Sequence, residues 1–174
     1  MSVLLIVLVW RFGPDWPALF DGDVISMVVP ATPIPEFKED KISVPVYFPS
    51  RDWSRLELYS REIPDRRVSL PEWVGLLLTA LSDPPSDHVL AVVPAGIKVK
   101  NVLLDEQQVL YVDLPEETAT FARGGVEKEM LILQSMVQTL GRNVSGVNRV
   151  KFLIEGKERE TFAGHIELRQ PFRP

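Results

Sequence analysis

Along residues 42–174 the spacing of apolar side chains switches between a period of two and a period near three and a half. Ile42-Ser-Val-Pro-Val-Tyr-Phe48 places an apolar side chain at nearly every second position and predicts a strand closed by Pro49-Ser50. Pro45 offers no N–H to a ladder, so that strand belongs at a sheet edge or at a bulge. Leu56-Glu-Leu-Tyr-Ser-Arg-Glu-Ile63 alternates again, with Leu56, Leu58 and Ser60 on one face, and predicts its hairpin partner.

The period then lengthens. Ser69-Leu-Pro-Glu72 supplies a capping hydroxyl, a first-turn proline and a carboxylate for the positive helix end. Trp73, Leu76, Leu77, Ala80 and Leu81 follow at helical spacing until Pro84-Pro85. An apolar run, His88–Val93, leads into the turn Pro94-Ala-Gly96. Val99–Leu104 and Val109–Asp113 then read as two strands joined by the loop Asp105–Gln108. The longest helical pattern is Val126–Leu140, where Val126, Met130, Leu133, Val137 and Leu140 recur and Ile132 and Met136 widen the stripe. Gly141 is placed to terminate it in a left-handed conformation. Val150–Ile154 reads as a strand, Glu155-Gly156 as a tight turn, and Ile166–Leu168 as a last short strand. The order predicts an α+β domain, a small mixed or antiparallel sheet with two helices packed on one face.

Residues 1–12 are of another kind. Ser2–Trp10 is unbroken apolar sequence and Arg11 is the first charge. The run has the length of a signal-peptide core and is too short for the roughly 20 apolar residues of a spanning helix. A buried strand is the competing reading of so much Val, Leu and Ile. The terminal position and the spacer that follows favour an anchor or signal. That spacer, residues 13–41, carries Pro14, Pro17, Pro30, Pro33 and Pro35. Proline at this density disfavours helix and ladder and suits an extended tether. The expected organisation is therefore an N-terminal apolar segment (1–12), a Pro-rich tether (13–41) and one folded domain (42–174).

Composition narrows the function. The 174 residues are 45% hydrophobic and 25% charged, as in a folded globular chain. With no cysteine there is neither a disulfide framework nor a thiolate metal site. The net charge of −5 comes with scattered Lys and Arg. The densest basic stretch, Arg61, Arg66 and Arg67, is interrupted by Glu62 and Asp65, so no patch exists for phosphate backbones and nucleic acid is not an expected partner.

Catalytic patterns are scarce. His88 and His165 belong to no metal-binding spacing and read as structural histidines. There is no Gly-x-Ser-x-Gly elbow. Gly124-Gly125 precedes a helix but lacks the Lys and Ser/Thr of a phosphate loop, and reads as a tight turn. Asp113 ends a strand and Glu116-Glu117 follow it. At the right separation Asp113 and Glu117 would serve as the acid and base of a glycan-cleaving or peptidoglycan-binding domain, although a capped turn with solvated acids explains the same residues. Asn143-Val-Ser145 matches a glycosylation sequon and reads as part of a turn before Gly146. Of Trp10, Trp16, Trp53 and Trp73, only Trp53 is placed to be an exposed contact residue. No catalytic, cofactor-binding or metal-ligating residue is assigned, and no cofactor is expected.

Several segments in register resemble the GerM-type spore-germination domain (GerMN). They are Val46-Tyr-Phe48, Leu76–Leu81 before Pro84, Val93-Pro-Ala-Gly-Ile-Lys-Val99 and Val109–Leu114. Gln134–Leu140, Gly146–Gly156 and Gly164–Phe172 continue the likeness, which covers about residues 43–173. The resemblance implies a fold similar to the ring-building motif of envelope assemblies, with helices on a small sheet. It implies a secreted or membrane-tethered module of sporulation or other envelope contexts, with no known catalytic residues. This chain has one copy where GerM proteins of spore formers have two, and it lacks a lipobox cysteine. The expectation is a non-enzymatic, extracytoplasmic interaction or assembly module. It would be held at the cell membrane by a single N-terminal anchor, would dock onto envelope proteins or copies of itself, and would touch the cell wall. A cytosolic regulatory domain, with residues 1–12 as an inner strand, is the remaining alternative.

Overall fold

The structure, a computed structural model, describes residues 40–65 and 68–174. The expected anchor, nearly all of the tether, Trp10, Trp16, Arg66 and Arg67 lie outside them. Within them the chain is an α+β domain, as its pattern predicts. Strands β1 (Lys41–Pro49) and β2 (Leu56–Pro64) form an antiparallel hairpin. Helix α1 (Leu70–Ala80) follows, then β3 (Asn101–Leu104) and β4 (Val109–Leu114), also antiparallel. A short helix α2 (Glu116–Phe121) and a long helix α3 (Val126–Asn143) lead to β5 (Arg149–Ile154), which pairs with β4 in parallel. The strands divide into two sheets, one of two strands and one of three in the order β3-β4-β5.

Local signals set the elements. At the start of α1, the Ser69 N–H and hydroxyl both donate to the Glu72 carboxylate, at 2.9 and 2.7 Å. Between β3 and β4 the Asp105 carboxylate accepts the Val109 N–H at 2.8 Å, and Gln108 adopts a φ of 61°. Glu155 and Gly156 both have positive φ, 53° and 73°, the requirement of a tight two-residue hairpin turn.

The core lies between the two sheets and the two longer helices. Val46 and Phe48 from β1, Leu77 and Leu78 from α1, Val112 and Phe152 from the three-stranded sheet, and Ile132, Met136 and Leu140 from α3 meet there, all buried. Each such aliphatic or aromatic side chain contributes about 1.5–3 kcal/mol on removal from water. The Leu56-Leu58-Ser60 face of β2 points outward, and Leu58 is 60% exposed. The opposite face packs inward instead, with Ile63 buried and Tyr59 edge-on to Phe48 at 6.1 Å.

Helix α3 differs from the stripe its spacing predicts. Val126 and Met130 are exposed, whereas Glu129, Ser135 and Thr139 are buried. The helix also runs through Gly141 to Asn143, so Gly141 is helical rather than a left-handed terminator. Its lack of a side chain admits Pro174, whose ring would lie 2.2 Å from a Cβ placed there. The predicted strand Ile166–Leu168 is an irregular segment tied by isolated bridges, Thr161 to Glu167 and Phe172 to Val150.

The buried polar residues of α3 explain the shifted stripe. Ser135, Thr139 and Asn143 are four apart and so share one face. That face lies along the free edge of β1. Thr139 Oγ1 accepts the Tyr47 N–H at 3.1 Å, the Ser135 hydroxyl donates to the Tyr47 carbonyl, and the Asn143 amide donates to the Pro45 carbonyl at 2.7 Å. Pro45 faces α3 on this edge, where its missing N–H leaves no donor unpaired. A row of helix side chains thus takes the place of the next strand and closes an edge that would otherwise pair with another chain. The Trp73 indole adds a bond from α1 to the Asn143 carbonyl at 2.9 Å.

Thr139→Val keeps the shape of the side chain and deprives the Tyr47 N–H of its acceptor. Leaving a buried donor unpaired is expected to cost about 1–3 kcal/mol in chemical denaturation. A cost near zero would mean that α3 covers the β1 edge without closing it.

Candidate functional site

Charged side chains gather where β4 gives way to α2. Asp113, the strand-end acid, is buried. Its Oδ1 accepts the Gly156 N–H at 2.7 Å and its Oδ2 the Asn101 side-chain amide at 3.3 Å. It therefore holds the Glu155-Gly156 turn against the sheet. Glu155 in turn accepts the Glu116 N–H at 3.0 Å, stabilising the start of α2, and pairs with Lys100. The Lys100 ammonium and then the Glu116 N–H hold the Glu155 carboxyl below its ordinary range. Lys100 is itself raised, first by its bond to Glu155. Glu116 pairs with Arg159 at 2.7 Å.

Glu117 stands apart from this network. It is exposed and lines a cleft of about 390 Å³ between the Pro94–Lys100 segment and the start of α2. Asp113 does not line that cleft. The two acids weighed as a catalytic pair thus sit in unlike surroundings: Asp113 is bonded to the main chain of a turn, and Glu117 faces solvent.

A second ionic centre was not singled out in the sequence. Glu129 is fully buried on α3. Its Oε1 accepts the N–H groups of Ala163 and Ile166, both at 2.8 Å, and its Oε2 the His165 N–H at 3.0 Å and the ring nitrogen Nδ1 at 2.9 Å. Burial pushes this carboxyl up. The N–H groups of Ala163 and Ile166, with the ring and N–H of His165, outweigh that effect and hold it below the ordinary value of 4.5. Desolvating a carboxylate costs several kcal/mol, and bonds to a charged group return about 1.5–3 kcal/mol each, so four of them suffice. Glu129 thereby fastens residues 161–166 to the body. Lys151 on β5 holds the residues on either side of that segment: its side chain is only 6% exposed, and it donates to the Arg169 carbonyl at 2.5 Å and pairs with Glu158 at 3.2 Å. The available signal was Glu129 itself, a charge three and four residues before Ile132 and Leu133 on a face otherwise apolar.

The other singled-out residues have local roles. His88 is exposed, and its carbonyl accepts the Arg51 N–H at 2.9 Å. Gly124 and Gly125 have φ of 138° and 121° and form the turn into α3. Asn143 is the last helical residue rather than part of a loop. Trp53 is partly buried at a φ of 57°, in a turn where Asp52 accepts the hydroxyls of Ser50 and Ser54 at 2.6 and 2.8 Å. Those two hydroxyls, with the Ser54 N–H, lower the Asp52 carboxyl to about 2. The Lys128 ammonium lies 5.8 Å from the Trp53 ring and 5.3 Å from that of Phe121, so this tryptophan packs on its own chain. Among the described residues no group of three or more His, Asp or Glu is placed to hold a metal, and no helix is long and apolar enough to cross a membrane.

The family described as Germane, sporulation and spore germination, matches residues 45–160, two thirds of the chain and nearly all of its folded part. The chain belongs to the Germane family. Solved structures show the same fold. The tandem GerMN domains of the sporulation protein GerM from Bacillus subtilis superpose with a TM-score of 0.61 at 20% identity, over 77% of this chain and 46% of that one. This chain therefore spans about half of that tandem structure. The first GerMN domain of the same protein aligns over 76% of this chain and 97% of its own length, with a TM-score of 0.57 at 20% identity. A candidate lipoprotein from Clostridium perfringens aligns with a TM-score of 0.52 at 19% identity, over 76% of this chain and 87% of that one. No curated protein matches the chain. In this Germane domain the Pro94–Lys100 loop, α2 and the segment after β5 all lie within or beside the ionic network around Asp113.

Glu129→Gln tests the second centre. The carboxyl is held below its ordinary value, so its contribution is full at pH above about 4.5 and is lost as pH falls through the folded value. The variant is expected to lose about 2–4 kcal/mol at pH 7, with the gap to wild type closing in acid. A gap that stays constant with pH would show that the charge of Glu129 is not what holds the segment.

Proposed function

We propose that this chain is a non-catalytic, extracytoplasmic interaction module of the cell envelope. Residues 1–12 tether it to the membrane, and it docks onto envelope proteins or onto copies of itself. The observation that carries the reading is the use made of its buried charges. Asp113, Glu129 and Lys151 each spend their polar atoms on main-chain groups or close partners of their own domain. An acid or base in catalysis needs a reacting atom within hydrogen-bond reach, and these groups are already engaged. Membership of a family described by sporulation and spore germination supports an envelope setting, as does likeness in fold to a candidate lipoprotein.

The full-length chain incubated with purified cell walls is expected to release no reducing ends. In cells, photo-crosslinkers placed on its exposed surface are expected to capture a membrane or envelope protein or a second copy. Turnover of the wall that disappears in Asp113→Asn, at retained thermal stability, would replace this reading with a glycan-cleaving one. Fractionation of the chain with soluble cytoplasm would remove the tether.

A further inference from the structure

The cleft beside Glu117 has a cause in the chain. On β3 and β4, Asn101 lies opposite Asp113, and the Lys100 N–H still reaches the Asp113 carbonyl at 3.0 Å. That bond falls one residue out of the Asn101–Asp113 register, so the ladder is already breaking where the partner strand reaches Pro115. Proline has no N–H, and the chain turns there into α2, so the ladder stops and its two sides part. The space they leave is the cleft of about 390 Å³, walled by Pro94, Ile97 and Val99 on one side and by Pro115 and Glu117 on the other.

Ile97, Lys98 and Val99 keep the habit of a strand after their partner has gone. Ile97 and Val99 turn toward the core while Lys98 is exposed. Among the described residues none of their N–H groups finds an acceptor, and no main-chain N–H reaches their carbonyls. A short apolar groove lined by Pro94, Thr120 and Phe121 continues from the cleft, sharing Pro94 and Glu117 with it.

We infer that this wedge receives an extended segment of a partner protein, which pairs with the main chain of Ile97–Val99 and lays its apolar side chains against Pro94, Pro115 and Phe121. The unpaired groups repeat along the chain as donors and acceptors, a pattern that another extended peptide backbone matches and a sugar or acyl chain does not. Charge selects among such segments. Lys98 stands on the strand side and Glu117 on the helix side, so the fitting segment is apolar with an acidic residue facing Lys98 and a basic one facing Glu117. The inference rests on the docking reading above and assigns it a place.

The test uses the full-length chain and a displayed library of random short peptides. Selected peptides are expected to be apolar with flanking charges and to slow exchange of the Ile97, Lys98 and Val99 amides at least about tenfold. Lys98→Pro, which removes one unpaired N–H and no internal bond, is expected to weaken binding about tenfold or more. Lys98→Ala is expected to stay within about threefold, the difference being roughly 1.4 kcal/mol per factor of ten. The amide measurement on wild type decides the matter if Lys98→Pro alters the melting temperature. Selected peptides that protect amides elsewhere, or that bind Lys98→Pro unchanged, overturn the wedge while leaving a docking module in place. No selected peptide, or cell-wall glycan fragments shifting these amides where peptides do not, overturns it as well. The docking reading is judged separately, by the crosslinks in cells.

Discussion

A buried polar atom is costly to leave unpaired, and helix α3 is where this domain meets that demand for three of its parts at once. Ser135, Thr139 and Asn143 bond the edge of β1, Glu129 gathers the N–H groups of residues 163–166, and Ile132, Met136 and Leu140 fill the core. A purely apolar helix would pack as well but would leave the Tyr47 N–H and the Pro45 carbonyl without partners. It would also leave the segment after β5 without a reason to fold back. Burial of apolar surface supplies most of the stabilisation, whereas these few bonds decide which arrangement is reached.

The same accounting separates the parts of the molecule that are closed from the part that is open. The β1 edge is closed by side chains, and the outer edge of β5 is met by Phe172, whose ring lies 6.2 Å from that of Phe152. Asp113 and Glu155 complete the turn beside them. Past Lys100, where Pro115 ends the ladder, main-chain groups face a cleft with no partner among the described residues. The contact proposed for this module would find its unpaired main-chain groups in that opening.

Much of this was legible in the residues. Alternation located β1 and β2, short apolar runs between turn signals located β4 and β5, Ser69 and Glu72 marked the start of α1, and Pro45 marked an edge. The hidden parts share a cause: each depends on a partner distant in sequence. Ser135 and Thr139 read as polar interruptions until β1 lies beside them, and Glu129 reads as an ordinary first-turn acid until residues 163–166 fold over it. The strand predicted at 166–168 is cut short because the Ile166 N–H goes to the Glu129 carboxylate, which leaves only the Leu168 N–H to reach a main-chain carbonyl, that of Glu160, in an isolated bridge. Asp113 and Glu117 have three residues between them in the chain, one of which, Pro115, turns the first into the sheet and the second toward the cleft. A short helix such as α2 carries too few residues to show a period at all.

Residue-resolved native-state hydrogen exchange on the full-length chain would test this account most directly. If polar pairing by α3 organises the domain, the Tyr47, Ala163 and Ile166 amides will exchange only through global unfolding. The Ile97, Lys98 and Val99 amides will exchange near the rate of an open chain. Fast exchange at Tyr47 and Ile166, or strong protection at Ile97–Val99 in the unbound protein, would contradict it.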